Sequence, residues 1–173
     1  MVQQSRIENT ILASLFFKED YTRKVLPFIK EEYFGNRVEQ LVFGEVFKFV
    51  EKYNNLPTKN AIEIELNGRR DINEEELQHI KDYIVAIEDS ETDIKWLLET
   101  TEKFCKDRAV HNAVLEGIKI LDNKDKKQTP EAIPHILSEA LAVSFDKSVG
   151  HDYIEDAESR FKYYHTKEKR YQF

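Results

Sequence analysis

The stretch that decides the fold runs from Asp93 to Leu121 and reads DIKWLLETTEKFCKDRAVHNAVLEGIKIL. It contains no proline and one glycine, and its apolar residues recur at steps of three and four. This periodicity predicts one uninterrupted helix of roughly 28 residues, or about 42 Å. Because that is more than twice the usual length of a helix in a globular protein, we expect it to organise the chain around it.

A second helix is expected to fold back on the long one. The polar segment 122–130 (DNKDKKQTP) breaks the pattern, and a shorter helix is predicted from about Ile133 to Phe145. A long helix, a polar turn and a returning helix together form an antiparallel hairpin. The apolar residues of the shorter helix that can pack against the long one are Ile136, Leu137, Ala140, Leu141 and Val143.

Two capping boxes are predicted in the first 90 residues. Ser5 with Glu8, and Asn73 with Glu76, each pair a capping residue with a glutamate three positions later, directly before an apolar helical run. Each pair therefore predicts the start of a helix. The alternating residues 62–66 (IEIEL) have no partner segment, so they do not predict a sheet.

Other local signals complete the helices of this region. A short helix is predicted from Asp20 until Pro27 interrupts it. Asn36 and Thr58 each stand where a capping residue is expected, before a further amphipathic run. Gly35, in the turn before Asn36, is expected to supply a positive φ.

The C-terminal residues predict one more amphipathic helix. Asp152 and Glu155 have the spacing of a capping box, which would start a helix at Tyr153. Apolar side chains then recur on one face, and no later segment of the sequence covers them. An amphipathic helix of this kind commonly binds a groove on another body. The expected docking residues are Ile154, Ala157, Phe161 and Tyr164.

These patterns together predict an all-α chain in four parts. Residues 1–90 form a compact helical globule, and residues 91–145 form the hairpin. Residues 146–151 are a hinge, and residues 152–173 are a linker helix.

The composition narrows the class of protein. A formal net charge of -7 disfavours binding of nucleic acid across the whole surface. Residues 162–171 (KYYHTKEKRY) interleave aromatic and basic side chains, but Glu168 lies among them, and we favour a protein-docking surface there. Cys105 has no second cysteine to pair with, and no stretch has the length of a signal peptide or a membrane span. The sequence therefore predicts a protein of the cell interior.

The sequence predicts no catalytic, cofactor-binding or metal-binding residue. None of the five glycines precedes a Lys-Ser or Lys-Thr pair, so a phosphate-binding loop is missing. Glu76 and His79 form a single ExxH element, whereas a di-iron bundle needs two such elements and further glutamates. Cys105 and His111 are six residues apart on one helix, so they point to different faces.

Two polar residues interrupt the apolar stripe of the long helix. Arg108 and His111 lie in line with Phe104, Leu115 and Ile118. One interpretation is a salt bridge or hydrogen bond inside the hairpin, to a residue such as Glu139. The alternative is a polar contact across an interface between subunits.

Several segments resemble the N-terminal region of the DnaB-type replicative DNA helicases, in particular those of T4-like bacteriophages. They are EEYF (31–34), YNNLPT (53–58), LLETTEKFCKDRAVHNA (97–113) and AIPHILSEALAVSFDKSVGHDYIEDAESRFKYY (132–164). Together these segments extend over nearly the whole chain, and the last is long and idiosyncratic.

The resemblance implies an architecture and a set of partners. In that family a helical globule and a protruding hairpin form a collar, neighbouring subunits of a hexamer pair through their hairpins, and a linker helix docks on the adjacent ATPase lobe. The collar also receives a primase and a helicase loader, in the cytoplasm of the infected host cell. The resemblance makes the following residues a hairpin interface: Phe104, Arg108, His111, Leu115, Ile118, Leu137 and Leu141.

The chemistry of the family has no counterpart in these 173 residues. The resemblance implies that ATP and Mg²⁺ bind a further domain of a longer parent, a 5′–3′ helicase that contacts single-stranded DNA only through that domain. This chain would serve assembly and recruitment and would have no ATPase activity itself.

Two other functions stay open at this point. A standalone all-α adaptor would use its C-terminal helix to bind a different protein. A small single-stranded DNA-binding protein is disfavoured by the acidic balance of the chain.

Overall fold

A computed structural model describes residues 2–145 of the chain, with side chains from residue 6 onward. Within that range the fold is all-α, as predicted, and contains no strand. The predicted hinge at 146–151 and the linker helix with its four docking residues lie outside the described residues. In order, the helices are α1 (Val2–Phe17), α2 (Glu19–Val25), α3 (Arg37–Tyr53), α4 (Lys59–Asn67), α5 (Glu74–Ala86), α6 (Ile94–Leu121) and α7 (Ile133–Leu141), with 3₁₀ turns at Glu31–Tyr33 and Pro130–Ala132.

Side-chain caps begin four of these helices. Asn36, Thr58 and Asn73 each accept a hydrogen bond from the backbone N–H three residues further on, at 2.9, 3.1 and 2.8 Å. Glu76 accepts in return from the N–H of Asn73, which completes the predicted capping box. Asp93 caps α6 in the same way. The predicted starts of α3, α4 and α5 are therefore confirmed.

Two predictions near the N-terminus are wrong. Ser5 is not a capping residue, because α1 already begins at Val2. Its predicted partner Glu8 is buried and accepts the N–H of Gly35 at 2.9 Å. Gly35 does not have a positive φ; a Cβ there would lie 3.4 Å from Glu8 Oε1, so its small size permits a close approach. The left-handed residues among those described are Asn54 and Asn123.

The apolar core joins the first half of α6 to the globule. Phe104 packs with its ring centroid 5.8 Å from that of Phe34, which in turn lies 5.2 Å from the Phe43 ring. The Tyr21 hydroxyl is buried 2.6 Å from Thr101 Oγ1. One core cluster therefore includes residues on both sides of position 90, and the division into a globule and a hairpin stays a prediction.

The antiparallel hairpin is confirmed by contacts along α6 and α7. Gln128 donates to Glu116 at 2.8 Å beside the turn, and a Cβ on Gly117 would lie 3.5 Å from Ile133. At the opposite end of α7, Ser144 Oγ lies 3.3 Å from Glu102 Oε1. Residue 128 thus contacts residue 116, and residue 144 contacts residue 102. The two segments therefore run antiparallel.

The returning helix is shorter than predicted. It ends at Leu141, and Phe145 lies beyond it with its ring stacked on Phe28 at 4.7 Å. Leu141 does not pack against α6 as predicted, because it is one of the most exposed apolar side chains described. The aromatic stack on the globule, and not further helix, therefore fixes the end of the hairpin.

Candidate functional site

The second half of α6 carries an exposed apolar stripe. We define the hairpin stripe as Val114, Leu115, Ile118 and Leu121, whose exposures lie between 45% and 63%. These residues fall at steps of three and four, so they share one side of the helix. A contiguous set of large apolar side chains on a surface helix typically marks a surface that contacts another molecule.

The predicted interface residues do not all belong to this surface. Leu115 and Ile118 lie in the hairpin stripe, while Leu137 is half-buried and Leu141 is exposed on α7. Phe104 is buried in the core against Phe34. Phe104 is therefore not exposed for contact with another subunit in this structure.

Two residues of the stripe were missed by the sequence analysis. Val114 and Leu121 stand four and three residues from Ile118, so the helical spacing was a sufficient signal. They were overlooked because the apolar line drawn from Phe104 passes to one side of them. That line follows the buried face of the first half of α6 and is an imperfect guide to the second half.

The polar residues of the predicted line have separate environments. Arg108 is half-buried, and its Nε is buried without a hydrogen-bond partner in the described part of the chain. The proposed bridge from Arg108 to Glu139 is not formed, because Glu139 contacts His135 at 3.3 Å on its own helix. His111 is exposed. A contact of Arg108 or His111 across a subunit interface stays a prediction.

A hydrogen bond from α6 to the globule lies two residues before the start of the hairpin stripe. Asn112 Nδ2 donates to the backbone carbonyl of Glu32 at 2.9 Å. Most buried residues on the same half of α6 are small, namely Ala109, Ala113 and Gly117, and Ile120 is the large exception. The four residues of the hairpin stripe are the large apolar side chains of this half that stay exposed.

The residues with potential chemistry have structural roles. Cys105 is fully buried, and burial raises the pKa of its thiol to about 12, so it stays protonated. Glu76 completes the cap of α5 and accepts from Arg37 Nε at 2.7 Å. Across residues 2–145 no group of three or more His, Cys, Asp or Glu residues is arranged to hold a metal ion. No helix within that range is long and apolar enough to cross a membrane.

A comparison with known proteins gives one clear relative. The chain is 34% identical to the DnaB-like replicative helicase of Enterobacteria phage T4, over an alignment of 171 residues. The resemblance drawn from the sequence is thereby confirmed. The alignment covers 94% of this chain and 36% of the phage helicase, so the chain spans about a third of its relative's length. No family model matches the chain.

Proposed function

We propose that this chain is the N-terminal collar of a replicative DNA helicase and that its hairpin joins neighbouring subunits of the ring. The observation that carries this proposal is the hairpin stripe, four large apolar side chains left exposed together on the second half of α6. The similarity to the phage T4 helicase supports a role in DNA replication at the level of a helicase.

Pairing of two hairpins accounts for the stripe in physical terms. Most homo-oligomer contacts are symmetric, so a stripe on one copy meets the same stripe on the next. Each square ångström of apolar surface removed from water contributes about 25 cal/mol, which favours covering leucine and isoleucine side chains. Arg108 and His111 stand next to the stripe in the sequence, and we assign them to the edge of this contact.

Further parts of the proposal rest on the resemblance. We include recruitment of a primase and a helicase loader, and docking of the linker helix on a neighbouring ATPase domain. ATP and Mg²⁺ would bind that domain of the parent protein, which would also contact single-stranded DNA.

The test is a double substitution in the stripe of the full 173-residue chain. Leu115→Asp with Ile118→Asp places two carboxylates at the centre of the proposed contact. We expect self-association, measured by analytical ultracentrifugation, to weaken by about 100-fold or more, because a charge buried at an interface is costly. Circular dichroism should show that the helices and their melting are preserved, since both positions are exposed.

A matched control changes two apolar residues elsewhere that are even more exposed than Leu115 and Ile118. Ile64→Asp with Val85→Asp alters α4 and α5 on the globule, where both side chains face solvent. This variant should associate like the natural chain. If the stripe variant also associates normally, or if the natural chain is a monomer at high concentration, the assembly role is wrong. The adaptor hypothesis, in which a different protein covers the stripe, would then be favoured.

A further inference from the structure

Two buried carboxyl groups face each other inside the globule. Glu8 on α1 is 4% exposed and Glu39 on α3 is 1% exposed. Both residues are attached to the same segment, because Gly35 N–H donates to Glu8 Oε1 at 2.9 Å and Glu39 N–H donates to Asn36 Oδ1 at 2.9 Å. The charge of Glu8 acts on Glu39, so the two carboxyls are neighbours. Two neighbouring carboxylates offer only acceptors, so burial of both favours a proton on Glu39.

Among residues 6–145, no basic side chain forms a salt bridge with Glu8 or Glu39. Glu39 Oε2 is buried without a hydrogen-bond partner among residues 6–145. The groups that act on Glu39 are Glu8 from α1 and Asn36 at the start of α3. From α5, Tyr83 donates its hydroxyl to Asn9 at 2.7 Å, and burial first, then the charges of Glu39 and Glu8, raise the pKa of this phenol. The surroundings of Glu39 are thus acidic or neutral.

A second buried glutamate on the same helix shows the contrast. Glu45 is also buried, but Lys48 Nζ lies 2.8 Å and Arg69 Nη1 lies 3.1 Å from its Oε1. Two cations compensate the desolvation of Glu45, whereas Glu39 has a second carboxyl in their place. Helix α3 therefore carries two buried glutamates for comparison. Glu45 has cationic partners, and Glu39 has none among the described residues.

The carboxyl pair lies beneath the segment that supports the hairpin. Glu8 holds the N–H of Gly35, and the same segment provides the Glu32 carbonyl that accepts from Asn112 on α6. Phe34 of this segment also packs on Phe104 of α6. A change in the pair is thus transmitted to the middle of α6 through residues 31–36.

We propose that Glu8 and Glu39 form a proton-dependent latch that fastens segment 31–36, and through it the hairpin, to the globule. With one proton between them, both carboxyls stay buried and the segment is held. When Glu39 loses its proton, its negative charge and that of Glu8 repel each other in a water-poor site where neither has a cation among the described residues. The segment and its contacts with α6 then loosen.

The direction of the pH dependence follows from Glu39. Burial first, and then the charge of Glu8, raise the pKa of Glu39 to about 7 from its ordinary value of 4.5, while hydrogen bonds from Asn36 lower it. Below the ordinary value the group is protonated in both the folded and unfolded chain, and its contribution to stability is complete. That contribution is lost as the pH rises from about 4.5 through about 7.

The first experiment measures the melting temperature of the full chain between pH 5 and pH 8. The natural chain should lose about 5 °C or more over this range from the latch. Glu39→Gln, which keeps the shape and adds a donor toward Glu8, should remove that loss and melt higher than the natural chain at pH 8. Glu45→Gln should melt lower throughout and keep the natural slope. Parallel profiles for the natural chain and Glu39→Gln would overturn the proposal.

Two measurements on the natural chain do not depend on a variant that folds. Carbon-13 NMR of the assigned Glu39 carboxyl should show a titration midpoint near 7. Hydrogen exchange, corrected for its intrinsic pH dependence, should accelerate in residues 31–36 and mid-α6 between pH 6 and pH 8. If Glu39 titrates near its ordinary value, there is no shared proton. If it titrates near 7 while exchange there stays constant, the pair is not a latch.

Discussion

Between Leu97 and Leu121, the two halves of α6 place most of their large side chains in opposite environments. In the first half, bulky residues such as Leu97 and Phe104 are buried against the globule. In the second half, the buried positions are mostly small, as at Ala113 and Gly117, and bulky residues such as Ile118 point outward. One end of α6 therefore contributes large apolar side chains to the core. At the other end, large apolar side chains stay exposed within the described part of the chain.

The largest effect that tests this contrast is a truncation in the first half. Phe104→Ala should lower the free energy of unfolding by about 3–5 kcal/mol, because it removes an aromatic ring from the core and leaves a cavity. Leu115→Ala is the matched change in the second half, and it should cost less than about 1 kcal/mol in the monomer. Urea unfolding at low protein concentration measures both. Similar costs at the two positions would mean that the halves do not differ as described.

A buried hydrogen bond tests the first half at a smaller scale. Thr101 Oγ1 donates to the Leu97 carbonyl at 2.7 Å, so the Tyr21 hydroxyl donates to Thr101. Thr101→Val keeps the shape but leaves that hydroxyl buried without an acceptor. We expect a loss of about 1–3 kcal/mol in the free energy of unfolding.

The neighbouring residue provides the control for that change. Thr100→Val makes the same substitution one position away, at a half-buried site, and should have little effect on the unfolding midpoint. Burial also raises the pKa of the Tyr21 phenol above its ordinary value. A phenol that ionises normally in an alkaline absorbance titration of the folded chain would contradict the burial of the Tyr21 hydroxyl.

The fold was predictable where its signals are local. Capping residues such as Asn36 and Asn73 satisfy N–H groups within a single turn, so their sequence spacing is enough to identify them. The prediction for Ser5 is wrong because α1 begins earlier, at Val2, and the prediction for Gly35 is wrong because this residue approaches Glu8 of α1, a contact that sequence spacing does not reveal. The prediction that Leu141 packs against α6 is wrong for a related reason. The hairpin ends with the stacking of Phe145 on Phe28, which sequence spacing does not reveal either.

The candidate site was predictable in part. Leu115 and Ile118 were identified because helical periodicity places them on one face. The same periodicity extends to Phe104, and nothing in the sequence indicates where burial on that face ends. The limit is set by which neighbours pack beside α6: the globule covers Leu97 and Phe104, while α7 packs on the second half and leaves the hairpin stripe exposed.

The smallest effect has the opposite sign and tests the packing between α6 and α7. A Cβ on Gly117 would meet Ile133 Cγ2 at 3.5 Å, an ordinary contact, and Gly117 lies inside a helix. Gly117→Ala should therefore raise the free energy of unfolding by about 0.5–1 kcal/mol, because alanine favours the helix. Gly117→Leu should lower it, since the larger side chain would force α7 away. A loss of stability in the alanine variant would show that the hairpin is packed as tightly as the core, and the contrast between the two halves of α6 would then lie only in what faces solvent.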